Sequence, residues 1–463
     1  MSWTRRQAFL AFGAAGVAGC STAVHQMMDA DVIVLGAGIS GLYAARALYA
    51  EGVNVRVIEA DTRVGGRLHT LDAIEGRPEA GGVQVGKSYR RFRQAAADVG
   101  VAIVPAPPSL RRERTLVIDG TVLPSSEWAT SSLNPFPDDM KGLAPDQVLF
   151  AVSARNNPLA EPGAWRSAAA DNDISADAFL RNAGMDEASR ALCNIALNAN
   201  RLDTYSMINV WRSLSLYQRE VALGPSDVVM GGSARVPEAL ANRLPSGAVE
   251  LGSTIRAIEE ELDFVRVTTD RGTYRAPHVI CTLPFSALRR IALDVPVNLE
   301  TSQAIKALPY TQVQQVHLAV DDLPADGLPL SMWTDTPIER VFPQIDDQGE
   351  VTGVKVWING EGVLRGASDD TLFALAQRTL EQTRRLKTRP LAVTRWTDDQ
   401  PFSGGAYMHW APGTITRWAG KMGAPTERVS FAGEHLSRSH TGMEGALEAA
   451  DDSVAWARAK LGA

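Results

Sequence analysis

Two short stretches near the N-terminus hold the residue types and spacing that could do chemistry. Gly36-Ala-Gly38-Ile-Ser40-Gly41 follows the apolar run Asp31-Val-Ile-Val-Leu35 and leads into a helical pattern from Leu42 to Ala50. That order suits a dinucleotide. Gly36 permits a tight turn, Gly38 leaves no side chain between backbone and pyrophosphate, and Gly41 lets the helix pack on the strand, with Ser40 at a helix N-terminus whose N–H groups face the phosphates. A second strand pattern, Asn54-Val-Arg-Val-Ile58, ends in Glu59, eighteen positions after Gly41, where a carboxylate can accept hydrogen bonds from ribose hydroxyls. Arg63-Val-Gly65-Gly66-Arg67 and Gly81-Gly82-Val83 then supply two more glycine turns. Either alone reads as a surface turn with a solvated arginine. Together they read as one cradle in which backbone N–H groups and the Arg67 guanidinium meet a phosphate.

The elements that must position these turns come from a chain of 463 residues, longer than one hydrophobic core usually serves, so two interleaved or successive domains are expected. A formal charge of −7, without a Lys/Arg-rich block, gives no electrostatic reason to expect nucleic acid. The strand pattern His278-Val-Ile-Cys-Thr282 and a helical stretch around Cys193 make Cys193 and Cys281 buried free thiols rather than a disulfide. The seven histidines are scattered and no Cys or His spacing fits a metal. Helical patterns run from Asp177 to Ala196 and from Thr204 to Tyr217. Strands at Gln312 to Val320 and Gly353 to Ile358, with an amphipathic helix from Asp369 to Arg385, predict an antiparallel sheet flanked by helices, with Glu381 and Arg385 as a surface pair.

The first thirty residues read as an export signal. Thr4-Arg5-Arg6-Gln7-Ala8-Phe9-Leu10 carries paired arginines before a short apolar stretch, as twin-arginine signals do. Val17-Ala18-Gly19-Cys20 resembles a lipoprotein processing site, with Cys20 as the anchor, and ordinary signal cleavage is the alternative. The chain is therefore expected in the periplasm or anchored to a membrane as a lipoprotein.

Gly36-x-Gly38-x-x-Gly41, Glu59, Arg63-x-Gly65-Gly66-Arg67 and Gly81-Gly82 resemble the N-terminal part of the FAD-dependent amine oxidases. That group includes monoamine oxidases, polyamine oxidases, L-amino-acid oxidases and bacterial nicotine-degrading enzymes. The resemblance implies an α/β fold: a Rossmann-type FAD-binding domain built from residues 31–110, 225–300 and 392–463, and an interleaved α+β substrate domain, a mixed sheet flanked by helices, from 111–224 and 301–391. It implies an adenine contact at Ile255 and a strand ending at Gly433-Glu434 beside the cofactor. It also implies a helix start at Met443 that faces the flavin pyrimidine, where a reduced flavin gathers negative charge. Gly82 and Val83 belong to the same cofactor shell. Trp396 and Gly404-Gly405-Ala406-Tyr407 are similar to the segment that lines the flavin ring, with Tyr407 as one of two aromatic walls.

Several departures shape the expectation. Ala406 stands where monoamine oxidases carry a flavin-bonded cysteine, so FAD should be non-covalent. Gly442 stands where the second aromatic wall belongs, leaving the cage open or closed by Trp410 or His435. Gln315 occupies the place of a lysine that holds a water on flavin N5, which lowers the expected reactivity towards O2 and, with the export signal, points to a cytochrome or quinone as an alternative acceptor. No arginine lies in Gly82-Val83-Gln84 to take an α-carboxylate, although Arg93 and Arg212 could reach the pocket. The reading is an exported amine oxidoreductase that converts a small-molecule amine to an imine by hydride transfer to flavin N5, followed by hydrolysis. Alternatives are a desaturase or oxidase of a non-amine substrate, similar to protoporphyrinogen oxidases and carotenoid desaturases, or a flavin-binding envelope protein that has lost catalysis. A homodimer is left open.

Overall fold

The computed structural model describes residues 28–106, 113–159, 161, 163–195, 197–345, 350–400 and 402–462. The arginine pair at residues 5 and 6 and Cys20 lie outside them. Five parallel strands stand in the order Val429–Phe431, His278–Cys281, Val32–Leu35, Val55–Ile58 and Val249–Glu250, each joined to its neighbour in parallel register. A sheet of this kind is covered on both faces, which is why its central strands are unbroken apolar runs. Alternation along Val32–Leu35 splits its side chains: Val32 and Val34 enter one core with the helices Ile39–Tyr49 and Gly442–Leu461. Ile33 and Leu35 enter another, together with Ile255, Ile258, Val265 and Val267 of a second, four-stranded sheet.

A seven-stranded sheet forms the other half, in the order Lys387–Trp396, Val313–Asp322, Val351–Asn359, Arg340–Ile345, Met332–Thr334, Thr115–Ile118 and Thr121–Pro124. All its pairs are antiparallel except Met332–Thr334 with Thr115–Ile118. One face packs Val316, Leu318, Val341, Val354 and Val356 against Leu372, Ala376 and Leu380 of the helix Asp369–Arg384. By the period of two, the opposite face carries Trp396 and Thr394, then Gln315 and His317, then Lys355 and Trp357, then Arg340 and Phe342. This second face is the one turned towards the glycine turns.

Two expectations change. The helical pattern from Asp177 divides into Ala176–Asn182 and Glu187–Asn194 because Gly184 takes φ +84° and each piece has its own N-cap. Ser175 accepts from Ala178 N at 3.1 Å and Asp186 from Ser189 N at 2.8 Å. Glu381 and Arg385 make no ion pair among the described residues: Arg385 turns left-handed at φ 51° to end its helix, and the neighbouring Arg384 is the one that goes inward, onto Asp326 at 2.8 Å. Cys193 and Cys281 are free and buried, and burial pushes both thiols up to about 12. Among the described residues, no helix is long and apolar enough to cross a membrane.

Candidate active site

The first turn has the geometry of an anion seat. Gly36 sits at φ +98°, and a Cβ on Gly41 would lie 2.0 Å from Gly36 O, so the helix Ile39–Tyr49 can rest on the turn only with glycine there. Gly38 faces open space, with nothing within 4 Å of where its Cβ would stand. The helix has no side-chain N-cap and no acidic residue in its first turn, and the buried Ser40 Oγ has no partner. Unsatisfied N–H groups and a hydroxyl around an open space are what a pyrophosphate completes. Glu59 accepts from Ala37 N at 2.6 Å and Asp61 N at 2.8 Å, which leaves lone pairs on both oxygens for a sugar. Ser253 N donates to Glu59 O at 2.8 Å and so lays the approach to Ile255, buried within the four-stranded sheet, beside this carboxylate.

The second turn is docked on the first. Gly65 N donates to Ala37 O at 2.8 Å, Gly66 follows at φ +55°, and Arg63 ties the loop by donating to Gly66 O at 2.8 Å. Arg67 is anchored to the protein through one nitrogen. Its Nη1 donates to Glu434 Oε1 at 2.8 Å and to Ala406 O at 2.9 Å, while Glu434 also accepts from Met408 N at 3.0 Å. These bonds bring the Gly433-Glu434 strand end and the Ala406-Tyr407 segment to the turn, with Gly433 in the left-handed region at φ +134°. Gly82 lies against Met443, 3.7 Å from its Sδ to a Cβ built on the glycine, and Val83 follows half-buried.

Above the Glu79–Gly82 loop stands the polar face of the large sheet. Trp396 Nε1 donates to Ala80 O at 2.6 Å. With its amide oriented to satisfy both neighbours, Gln315 donates to the same oxygen at 3.0 Å and accepts from Trp357 Nε1 at 3.2 Å, so it is held at both ends by protein. Lys355 Nζ donates to Glu79 O at 3.0 Å, and burial lowers its ammonium to about 8 while the Glu79 charge opposes the fall. His317, beside it, is lowered to about 3 by burial with help from the Lys355 charge, so it is neutral. Tyr407 donates to Asn198 Oδ1 at 3.0 Å, and burial raises its phenol above the ordinary value.

The two rings considered for the side at Gly442 each pack against another aromatic ring. Trp410 packs against Trp165 with ring centroids 5.8 Å apart, and His435 against Phe285 at 4.4 Å. Gly442 sits at φ +56°, and the atom nearest to a Cβ built there is the Tyr89 hydroxyl at 4.0 Å. Tyr89 therefore borders the gap. Arg93 and Arg212 do not reach the cage either. Arg93 pairs with Asp227 at 2.5 Å; Arg212 is buried, donates to His440 O at 2.7 Å and lies 4.2 Å over the Trp165 ring. Tyr89, Lys355, Trp357 and Arg340 were missed by sequence reasoning. The alternation Val354-Lys355-Val356-Trp357-Ile358 was the available signal for two of them, since it puts Lys355 and Trp357 together on the face opposite the valines.

The sequence pattern described as flavin containing amine oxidoreductase matches residues 39–455. The chain belongs to that family. It is 25% identical to an L-amino-acid oxidase of Siganus canaliculatus, over 92% of this chain and 85% of that one, and 23% identical to amine oxidase [flavin-containing] B of Homo sapiens, over 91% and 84%. Cyclohexylamine oxidase from Brevibacterium oxydans IH-35A shares the fold, with a TM-score of 0.73, 20% identity, and coverage of 94% of this chain and 100% of that one. The fold is thus the α/β architecture of FAD-dependent amine oxidases, and the cofactor is FAD. The open cradle at Gly38, the partnerless Ser40 Oγ and the Glu59 carboxylate fit its pyrophosphate and ribose. Ala406 offers no sulfur, so FAD is held non-covalently.

Proposed function

We propose that this flavoenzyme oxidises the C–N bond of a small-molecule amine to an imine, which then hydrolyses to a carbonyl compound and a released amine. FAD supplies the acceptor for the hydride. The protein's own part is orientation and exclusion of water. The observation that carries the reading is the pair of bonds from Arg67 to Ala406 O and Glu434, which ties the segment of Tyr407 to the second glycine turn, as the bond from Trp396 to Ala80 O ties the large sheet to the loop that follows it. Tyr407 offers the amine a ring whose hydroxyl is tied back to Asn198, and Trp396 a ring tied to Ala80. The two carboxylates placed at the cradle are engaged by protein: Glu434 by Arg67 and Met408, and Glu79 by Thr70 and Ser233. A neutral amine is the form that can give up hydride, and this arrangement favours it. The names of the relatives, an L-amino-acid oxidase and a cyclohexylamine oxidase among them, support the class and leave the individual amine open.

Lys355 restores a positive charge one strand away from Gln315, which supports O2 as the electron acceptor. Stopped-flow reoxidation by O2 as fast as turnover is the expected result. Much slower reoxidation would favour a cytochrome or quinone. Thr4-Arg5-Arg6 supports export by the twin-arginine route, checked by fractionation of cells that carry the parent or Arg5→Lys/Arg6→Lys. Anaerobic mixing of the holoenzyme with amines, a tetrapyrrole and a polyene tests the reaction itself. Bleaching by an amine alone is expected, and bleaching by either carbon substrate alone would overturn the reading.

A further inference from the structure

Arg340 lies in the row of directly opposed residues Thr394, Gln315, Trp357, Arg340 and Trp333, which crosses five strands of the large sheet. Opposed residues share a face, and this row lies on the face whose Trp396 and Gln315 touch the Ala80 carbonyl. Val341, the next residue, is in the opposite core with the helix Asp369–Arg384. Three other inward arginines are matched by a carboxylate, Arg67 with Glu434, Arg93 with Asp227 and Arg384 with Asp326, while the buried Arg212 is held by the Ser437 and His440 carbonyls and the Trp165 ring. Among the described residues Arg340 makes no such ion pair, and its Nε is buried without an acceptor. Its neighbour in the row, Trp333, is fully buried and its Nε1 also has no acceptor. The adjacent carboxylate, Glu339, lies against Gly362, its Oε1 3.8 Å from a Cβ built there.

Two buried N–H donors on opposed residues, one of them on a cation, call for an acceptor with more than one oxygen. A carboxylate meets a guanidinium with two parallel hydrogen bonds, which neither water nor an amide does as well. The row also sets a distance. Arg340 stands two strands from Gln315, about 10 Å between backbones, so its partner is not bonded to the carbon that reacts near Gln315 and Trp396. Burial raises the Tyr407 phenol; the Arg340 charge opposes that rise, and the charges of Glu339 and Glu434 add to it.

We propose that Arg340, with the Trp333 indole beside it, recognises a carboxylate, and that the amine oxidised carries this carboxylate several bonds from its reacting C–N bond. The inference rests on the amine-oxidising reading for the reaction, but the anion site can be tested without turnover. First, amine-free alkyl carboxylates of three to six carbons and the matching primary amides are titrated into the holoenzyme by calorimetry. Carboxylates should bind at least about tenfold more tightly than amides, as expected for a charge-assisted pair. Arg340→Gln should erase that preference, and Arg340→Lys should keep part of it at parental flavin content. Second, kcat and KM are compared for ω-amino carboxylates, α-amino acids and plain alkylamines. The ω-amino carboxylates should lead by roughly 10- to 100-fold in kcat/KM, mostly through KM, and this lead should collapse in Arg340→Gln. Equal binding of carboxylates and amides, or a preference that survives Arg340→Gln, would overturn the proposal. If plain amines bleach the flavin with no carboxylate preference, the anion site falls and amine oxidation stands. If carboxylates bind through Arg340 but no amine bleaches the flavin, the site stands and the reaction does not.

Discussion

The Tyr407 hydroxyl is tied to Asn198, so removing the hydroxyl and removing the ring are different experiments. Tyr407→Phe keeps the wall and should leave kcat/KM within a few-fold of the parent, whereas Tyr407→Ala should lower it by roughly 10- to 100-fold at unchanged flavin content. Steady-state kinetics with the best amine of the panel decides this. Lys355 gives a pH signature in the fold itself. Its ammonium loses a proton near 8 in the folded chain but only near 10.5 when unfolded. Between those values the unfolded chain binds more protons, so this residue makes stability rise with pH across that window and leaves its destabilising effect in full below pH 8. The melting temperature of the parent relative to that of Lys355→Met should therefore rise from pH 7 through 8 and 9 to 10. Neither Lys355 nor Arg340 was legible as a site residue from sequence. Each becomes one only through pairing with a strand far away in the chain, and strand pairing is not written in local spacing.

At the level of elements, the first glycine turn was the most legible part, because each of its requirements is local. Gly41 shows how strict they are: a Cβ would stand 2.0 Å from Gly36 O and 3.0 Å from Thr282 Oγ1. Gly41→Ala must therefore lift the helix off the turn, and should cost on the order of 3 kcal/mol together with most of the bound flavin, measured by denaturant melts and absorbance. The other end of the cradle is less visible. The loop Ser437–His440 ahead of the helix Gly442–Leu461 is gathered by Glu448, which accepts from Ser437 Oγ at 2.6 Å and Ser439 N at 3.1 Å and sits 3.6 Å from His440. The division of one helical pattern at Gly184 was likewise hidden, since the caps Ser175 and Asp186 look like ordinary polar residues until the chain turns there. Tyr89 next to Gly442 belongs with these cases: a glycine in one element makes room that another element borders.

Across the whole molecule, Glu79 is the stitch between the two halves. Its carboxylate accepts from Thr70 Oγ1 at 2.9 Å, Ser233 N at 2.6 Å and Ser233 Oγ at 2.7 Å, and its carbonyl accepts from Lys355 on the large sheet. Glu79→Ala would leave donors of the buried Thr70 and Ser233 without this acceptor, and should cost roughly 3 kcal/mol with loss of flavin, read from thermal melts with and without added FAD. FAD binds the folded chain, so at about 100 times its dissociation constant it should raise stability by about 2.7 kcal/mol over the flavin-free protein. Transfer of hydride from an amine to this assembly is tested by one anaerobic single turnover. The holoenzyme is mixed with an amine that reduces it, and flavin absorbance and carbonyl product are followed together. Full bleaching is expected, with one carbonyl formed for each flavin reduced. Bleaching without carbonyl product, or no bleaching by any amine while the flavin remains bound, would contradict it.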